Sequence, residues 1–252
     1  MIVWREKFLA FALHFLVTLV LAAGAAALIF LIWFPDPFQN MLGGWRLFLL
    51  VTGCDLALGP LMSLVVYNSK KPRRLLVLDY TIIGTVQIVA LAYGIFVMSS
   101  SRPVYIVFAK DQFEVVLASD IADKDLQAAK DPYRSRPWWQ PRLIAAKGPT
   151  DPKERQELLF ASFEGRDMQF QPRYYEPYES QLEQVRSHAK PIAQLLARHP
   201  ESSSLVADAA KRLHLAEDSL RWLDVRHGHG FWLALIDAQT ARPLAYLPID
   251  AG

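Results

Sequence analysis

The sequence predicts three N-terminal transmembrane α-helices followed by a C-terminal α+β extracytoplasmic domain with a small antiparallel sheet. Three observations carry this. The first hundred residues hold three long apolar runs, most of the charge lies beyond them, and the remainder shows β-rich runs at both ends with helix-like periodicity between. The expected division is a membrane region over 1–101, with spans at about 8–34, 47–67 and 75–98, and a periplasmic domain over 102–252.

The charge distribution separates the halves. Residues 1–100 carry 7 Lys/Arg against 4 Asp/Glu, and residues 101–252 carry 20 against 21. The basic excess therefore belongs to the membrane half and argues against nucleic acid as a partner, which would require a basic face on the soluble part. The single cysteine, Cys54, excludes an intramolecular disulfide and any cysteine-based metal site. The soluble half must be held by burial, which its length allows.

Phe8 to Phe34 is a run of 27 residues without Lys, Arg, Asp or Glu. It exceeds the roughly 20 residues that cross a bilayer core and the shorter apolar region of a cleaved signal peptide, so it reads as a retained helix. Pro35-Asp36-Pro37 ends it. Leu47 to Tyr67 forms the second span, interrupted by Asp55, and Leu75 to Met98 the third, with Asp79 near its start. Arg5 and Lys7 flank the first span, and Lys70, Lys71, Arg73 and Arg74 separate the second from the third. The loop between the first two holds Arg46 alone among Lys and Arg. The positive-inside rule then places the N-terminus in the cytoplasm and the C-terminal domain on the opposite side. Trp4, Trp33, Trp45, Tyr67 and Tyr80 fall near span ends, where interfacial aromatics belong.

Ionisable residues inside spans are functional candidates by default. At about 1.5 Å per residue, His14 and Asp79 lie at comparable depths, about 10 and 6 Å inside the cytoplasmic end, which allows an interspan polar pair. Asp55 lies nearer mid-membrane. Holding the helices together is the plainer role for all three; a proton path is disfavoured because no chain of relay residues follows them. Gly53 and Ala57, at i and i+4, form a small-residue face, and Gly59-Pro60 distorts the helix just beyond Asp55.

In the soluble half, 104–109 and 113–117 read as a hairpin. Ser119-Asp120 is expected to cap a helix reaching Lys130, followed by a Pro- and aromatic-rich connector containing Trp138 and Trp139. Asp151-Pro152 with Glu154 opens the next helix and Gly165 ends it. A helical stripe from Leu182 to Leu196 should be split at Pro191, and Ser203-Ser204 opens a further helix. The chain closes with a hairpin of 231–236 and 243–249.

Chemical motifs are sparse. His227-Gly228-His229 could supply two metal ligands, but no third is evident by spacing, and a polar turn is the plainer reading. Asp218, Asp224 and Asp237 could be assembled into a carboxylate site or could be solvated surface charge. There is no Walker loop, G-x-S-x-G or H-E-x-x-H. The expectation is a non-enzymatic protein without catalytic, cofactor or metal residues and without an evident small-molecule substrate. The alternative is a membrane-anchored periplasmic enzyme or metal-binding domain. A signalling anchor is disfavoured, because the cytoplasmic side holds only a short N-terminus and one loop.

Three segments carry a family resemblance: GCDLALGPLMSLVVYNSKKPRR from Gly53 to Arg74, QIVALAYGIF from Gln87 to Phe96, and RPVYIVFAKDQFEVVLASDI from Arg102 to Ile121. With these, the chain resembles the TfpX/TfpZ family of type IV pilin accessory proteins, or FimB-like fimbrial assembly proteins. The element Asp55 to Pro60 is the most distinctive. The resemblance implies a bacterial inner-membrane protein that works beside a major type IV pilin, and the pilus assembly machinery, in a chaperone-like role. On that reading Gly53, Asp55, Ala57, Gly59 and Pro60 are candidate contacts for the pilin helix, with the lipid bilayer as the other partner.

Overall fold

The computed structural model describes residues 3–68, 70–228 and 230–251, in two compact units, Met1–Arg102 and Pro103–Gly252. The first unit contains α1 (Val3–Ala27), the short α2 (Phe38–Met41), α3 (Gly44–Val66) and α4 (Arg73–Ser101). α1 continues as a widened π-helical turn over Leu28–Trp33, closed by a Phe34 N–H bond to the Ile29 carbonyl at 2.7 Å. Among the described residues, three helices are long and apolar enough to cross a membrane: Trp4–Trp33, Gly44–Val66 and Arg73–Ser101. α1 packs along α3, and α3 along α4. Most large apolar side chains on these helices point outward, with Leu9 70%, Val65 73% and Val86 64% exposed. Such a surface suits lipid rather than water.

At one end of this unit Ile29, Trp33, Phe34 and Met98 form a small buried cluster. A Cβ on Gly44 would stand 3.3 Å from the Met98 Cε, so the helix start fits closely against that cluster. The Arg102 guanidinium lies 5.8 Å from the Trp33 ring centroid, a cation–π contact, and also donates to the Ser99 carbonyl and hydroxyl. The turn after α1 is thereby tied to the residue that ends α4.

The second unit is built on one mixed sheet. Its strands are β1 (Pro103–Ala109), β2 (Gln112–Leu117), β3 (Arg142–Ala146), β4 (Tyr175–Pro177), β5 (Lys190–Pro191), β6 (Leu220–His227), β7 (Gly230–Asp237) and β8 (Pro243–Leu247). The order is β4-β3-β1-β2-β6-β7-β8, with β5 paired to β6. This corrects the expected small antiparallel sheet: β1 pairs β3 in parallel, and β2 pairs β6 in parallel. Two strands make the difference. β3 lies at the end of the Pro- and aromatic-rich segment read as a connector. β6 carries Arg221, Asp224 and Arg226 among its apolar residues, which masks its alternation.

Both faces of the sheet are covered, so every residue of β1 is buried. Tyr105, Val107, Val116, Ile144 and Tyr175 build one core. Leu195 and Val206, from helices α8 (Ile192–Arg198) and α9 (Ser203–Leu213), pack with Leu220, Trp222, Leu233 and Leu235 in another. Each such side chain, fully buried, contributes about 1.5–3 kcal/mol. The two halves of the sheet meet at a narrow seam, where only Phe113 and Glu114 pair with Val225 and Arg226.

The expected helix from Ser119 to Lys130 contracts to α5 (Asp123–Gln127). Asp120 does not cap it. Its carboxylate turns back to accept the Leu117 N–H at 2.8 Å, holding a 3₁₀ turn over 118–120 instead. Asp151 caps α6 (Pro152–Phe163), accepting the N–H groups of Lys153 and Glu154 at 2.8 and 3.0 Å. Gly165, at φ +76°, ends that segment in a conformation costly for other residues. Pro191 separates α7 (Leu182–His188) from α8, as its missing N–H requires.

Candidate functional site: a polar layer among three long helices

α3 presents two stripes. Thr52, Asp55, Leu56, Gly59 and Ser63 follow the i, i+3, i+4, i+7 spacing of one helix face; Thr52, Gly59 and Ser63 are buried, while Asp55 and Leu56 are partly exposed. Gly53 and Ala57 lie roughly 100–140° around the helix from that stripe and are exposed, and a Cβ added to Gly53 would meet nothing within 4 Å. The five residues singled out around Asp55 therefore divide. Gly59 and Pro60 are buried in the unit, Gly53 and Ala57 face outward, and Asp55 belongs to the inner stripe with partial exposure.

The inner stripe holds a hydrogen-bonded chain through all three helices. Gln87 of α4 donates through Nε2 to the Asp55 backbone carbonyl of α3 at 3.3 Å. A carbonyl can only accept, so this bond fixes the orientation of the Gln87 amide. Its Oε1 then accepts from His14 Nε2 of α1 at 2.7 Å. With the proton on Nε2, a neutral His14 ring accepts the Ser63 hydroxyl of α3 through Nδ1. The backbone carbonyl thus sets the tautomer two links away. Thr18 completes the arrangement by donating to the His14 carbonyl at 3.0 Å.

Gly59 makes this chain possible. A Cβ there would stand 2.0 Å from the Gln87 Nε2 and 2.6 Å from its Cδ. Only glycine lets the Gln87 side chain lie across α3. Pro60, next in sequence, removes the N–H that would bond the Leu56 carbonyl. Beside the chain is a cavity of about 180 Å³, lined in part by Thr18, Thr52, Asp55 and Gln87.

His14 and Asp79 are not brought together. His14 takes Ser63 and Gln87, and its ring centroid lies 6.2 Å from that of Tyr80. Asp79 forms an ion pair with Lys71 from the turn before α4. Sequence reasoning missed Ser63 and Gln87, because attention to ionisable groups passes over amides and hydroxyls. Their presence inside apolar runs was the signal, since neutral polar side chains commonly bridge helices in lipid.

In the second unit, the candidate carboxylates take separate roles. Asp224 pairs with Lys190 at 3.2 Å, and Asp237 accepts the N–H groups of Gln239 and Thr240 at 2.8 and 2.7 Å, which holds its carboxyl below the usual range. His227 ends β6, where burial lowers its pKa, and His229 lies outside the described residues. Among the described residues no three His, Cys, Asp or Glu side chains converge as a metal site. Glu114, at the seam between β2 and β6, is 4% exposed. Burial pushes its carboxyl up to about 7, opposed by Arg226 and reinforced by Asp120 and Asp167.

α6 buries none of its residues, and Leu159, Phe160 and Phe163 are 57%, 61% and 82% exposed. A groove of about 540 Å³ runs beside it, lined partly by Leu158, Leu159, Met168 and Lys110. Lys110 belongs to the β1–β2 turn and lies 3.5 Å from Asp167.

A family model described as "Fimbrial assembly protein FimB" matches residues 2–43. Two fimbrial assembly proteins of Dichelobacter nodosus, of serogroups I and E1, are 31% and 30% identical to this chain over 239 residues, covering 92% of it and 93% of each relative. A third, of serogroups C1 and C2, is 34% identical over 129 residues, half of this chain. No solved structure matches the chain.

Proposed function

Because this chain belongs to the family of fimbrial assembly proteins, we propose that it serves pilus assembly as a non-enzymatic, chaperone-like accessory that stabilises a type IV pilin in the bacterial inner membrane. The observation that carries the reading is the similarity to the serogroup I fimbrial assembly protein along nearly the whole of both chains. In this reading α1, α3 and α4 cross the membrane, the N-terminus is cytoplasmic and the second unit is periplasmic. The Lys/Arg bias of the flanking segments supports that orientation.

Two surfaces support pilin as the partner. The first is the outer stripe of α3, where exposed Gly53 and Ala57 allow close approach of a second helix, as small-residue faces do in lipid. The pilin's apolar N-terminal helix is its proposed occupant; Asp55, two residues from both Gly53 and Ala57, points to the far side of α3 and serves from within, beside His14 and Gln87. The second is the apolar side of α6 with its groove, a candidate contact for the pilin head. Gly59 and Pro60 serve indirectly, by shaping α3 from within.

Replacing Ala57 with Leu adds bulk only to the outward stripe. The variant should reach normal levels in the membrane, yet lose pilin co-purification and surface pili. Undiminished co-purification together with normal piliation would overturn the helix-docking role. A fusion at the C-terminus to a reporter active only outside the cytoplasm checks the orientation independently.

A further inference from the structure

The structure points to a membrane-surface anchor in the second unit, which rests on the reading that α4 crosses a bilayer. We infer that the loop carrying Trp138 and Trp139 inserts into the headgroup region of an anionic phospholipid membrane.

The loop's place follows from the sheet. β1 begins at Pro103, two residues after α4 ends at Ser101. That interval spans at most about 7 Å. β3 runs parallel to β1 in the register Tyr105 with Arg142, so residues 138–141 approach β3 at the end where the chain leaves α4. Adjacent strands are only about 4.8 Å apart. Two further contacts fix the loop there. The Tyr105 hydroxyl donates to the Ser135 carbonyl at 3.1 Å, and the Arg136 Nε donates to the Ala118 carbonyl at 2.9 Å, just past the end of β2 that pairs with Pro103. Pro137 and Pro141 stiffen the stretch between.

The chemistry fits a lipid surface. Trp138 and Trp139 are 53% and 65% exposed, and indoles favour the membrane–water interface. From Tyr133 to Lys147 the chain carries Arg134, Arg136 and Arg142 and no acidic residue. Arg134 and Arg142 are exposed within four residues of the indoles in sequence and suit anionic headgroups, Arg134 with Asp131 4.0 Å away. Length agrees too. The 29 residues of α4 extend about 43 Å, which matches a bilayer of about 40–45 Å with its headgroups. β1 then starts at the outer edge of the headgroup layer. α6, beside the β1–β2 turn, lies toward the opposite end of the sheet and is left clear.

The test uses the full chain in phosphatidylethanolamine–phosphatidylglycerol vesicles. In a Cys54→Ser background, an environment-sensitive fluorophore is attached through Gln140→Cys, with Phe163→Cys on α6 and Val86→Cys within α4 as references. Nitroxide-bearing lipids serve as quenchers. Headgroup nitroxides should quench position 140 several-fold more than position 163. Trp138→Ser with Trp139→Ser should bring position 140 down to the level of 163. Exchanging phosphatidylglycerol for phosphatidylcholine should weaken quenching at 140, and an unchanged signal would overturn the role given to the arginines. Equal quenching at 140 and 163, with position 86 quenched by acyl-chain nitroxides, overturns the anchor while α4 remains a span. Absence of quenching at 86 overturns the membrane reading and the anchor with it.

Discussion

The His14 imidazole donates to Gln87 Oε1 at 2.7 Å, a hydrogen bond between side chains 73 positions apart that links α1 directly to α4. Interhelical hydrogen bonds of this kind contribute about 0.6 kcal/mol on average and up to about 2 kcal/mol. A double-mutant cycle with His14→Ala and Gln87→Ala, read by unfolding in mixed micelles, should give a coupling in that range. A coupling indistinguishable from zero would assign cohesion of the three helices to apolar packing alone.

Gly59→Ala should be more damaging than either change, because its methyl group would occupy the space of the Gln87 amide. A loss of about 1–3 kcal/mol is expected, the range for overpacking a fitted site. Combining Gly59→Ala with Gln87→Ala should recover part of the loss, since the clashing atoms are gone. Gly53→Ala is the control: its methyl group meets nothing, so it should not destabilise and should add up to about 1 kcal/mol through the helix preference of Ala over Gly.

The Glu114 carboxyl, raised to about 7, gives the second unit a pH dependence of defined sign. Between the ordinary glutamate value and 7, the folded protein holds a proton that the unfolded chain has released. Stability contributed by this group is therefore complete below about pH 4.5 and declines as pH rises through 7. The decline amounts to something on the order of 3 kcal/mol. Glu114→Gln should flatten this part of the profile and raise stability at pH 8, measured by denaturant unfolding across pH. A profile unchanged by the substitution would show that Arg226 already neutralises the carboxylate.

Asp151→Ala removes the acceptor for two N–H groups at the start of α6 and should cost about 1 kcal/mol. Amide exchange should quicken in the first turn of α6, with β1 and β6 unaffected. Equal protection in both proteins would show that Pro152 alone organises this start.

Much of the fold is legible in the sequence where one physical effect dominates. Long apolar runs give the long helices, Asp151-Pro152 gives the start of α6, and Pro191 gives the break between α7 and α8. Legibility fails where tertiary pairing decides. Arg142 to Ala146 becomes a strand because β1 lies beside it, and the charges of β6 are carried where β5 and β2 pair with it, Arg221 opposite Pro191 and Arg226 opposite Glu114, which no local pattern announces. At the candidate site, Asp55 and His14 were visible as ionisable groups in apolar runs. Their partners were not, because the joining bonds run through Ser63, Gln87 and a backbone carbonyl. The division of α3 into an inner stripe with Gly59 and an outer one with Gly53 and Ala57 also needed the neighbouring helices.

The narrow parallel pairing of β2 with β6 has a consequence for how the chain is made. The β1–β2 hairpin can form as soon as its residues have been synthesised, since its pairing is local. The joint to β6 closes a loop of about 110 residues and must wait for nearly the whole polypeptide. Until then β2 offers an open strand edge while already tethered to α4, the situation in which nascent sheets pair with the wrong neighbour. A chain that ends before Leu220 would therefore keep that edge open, a stub prone to pair with the strands of its neighbours.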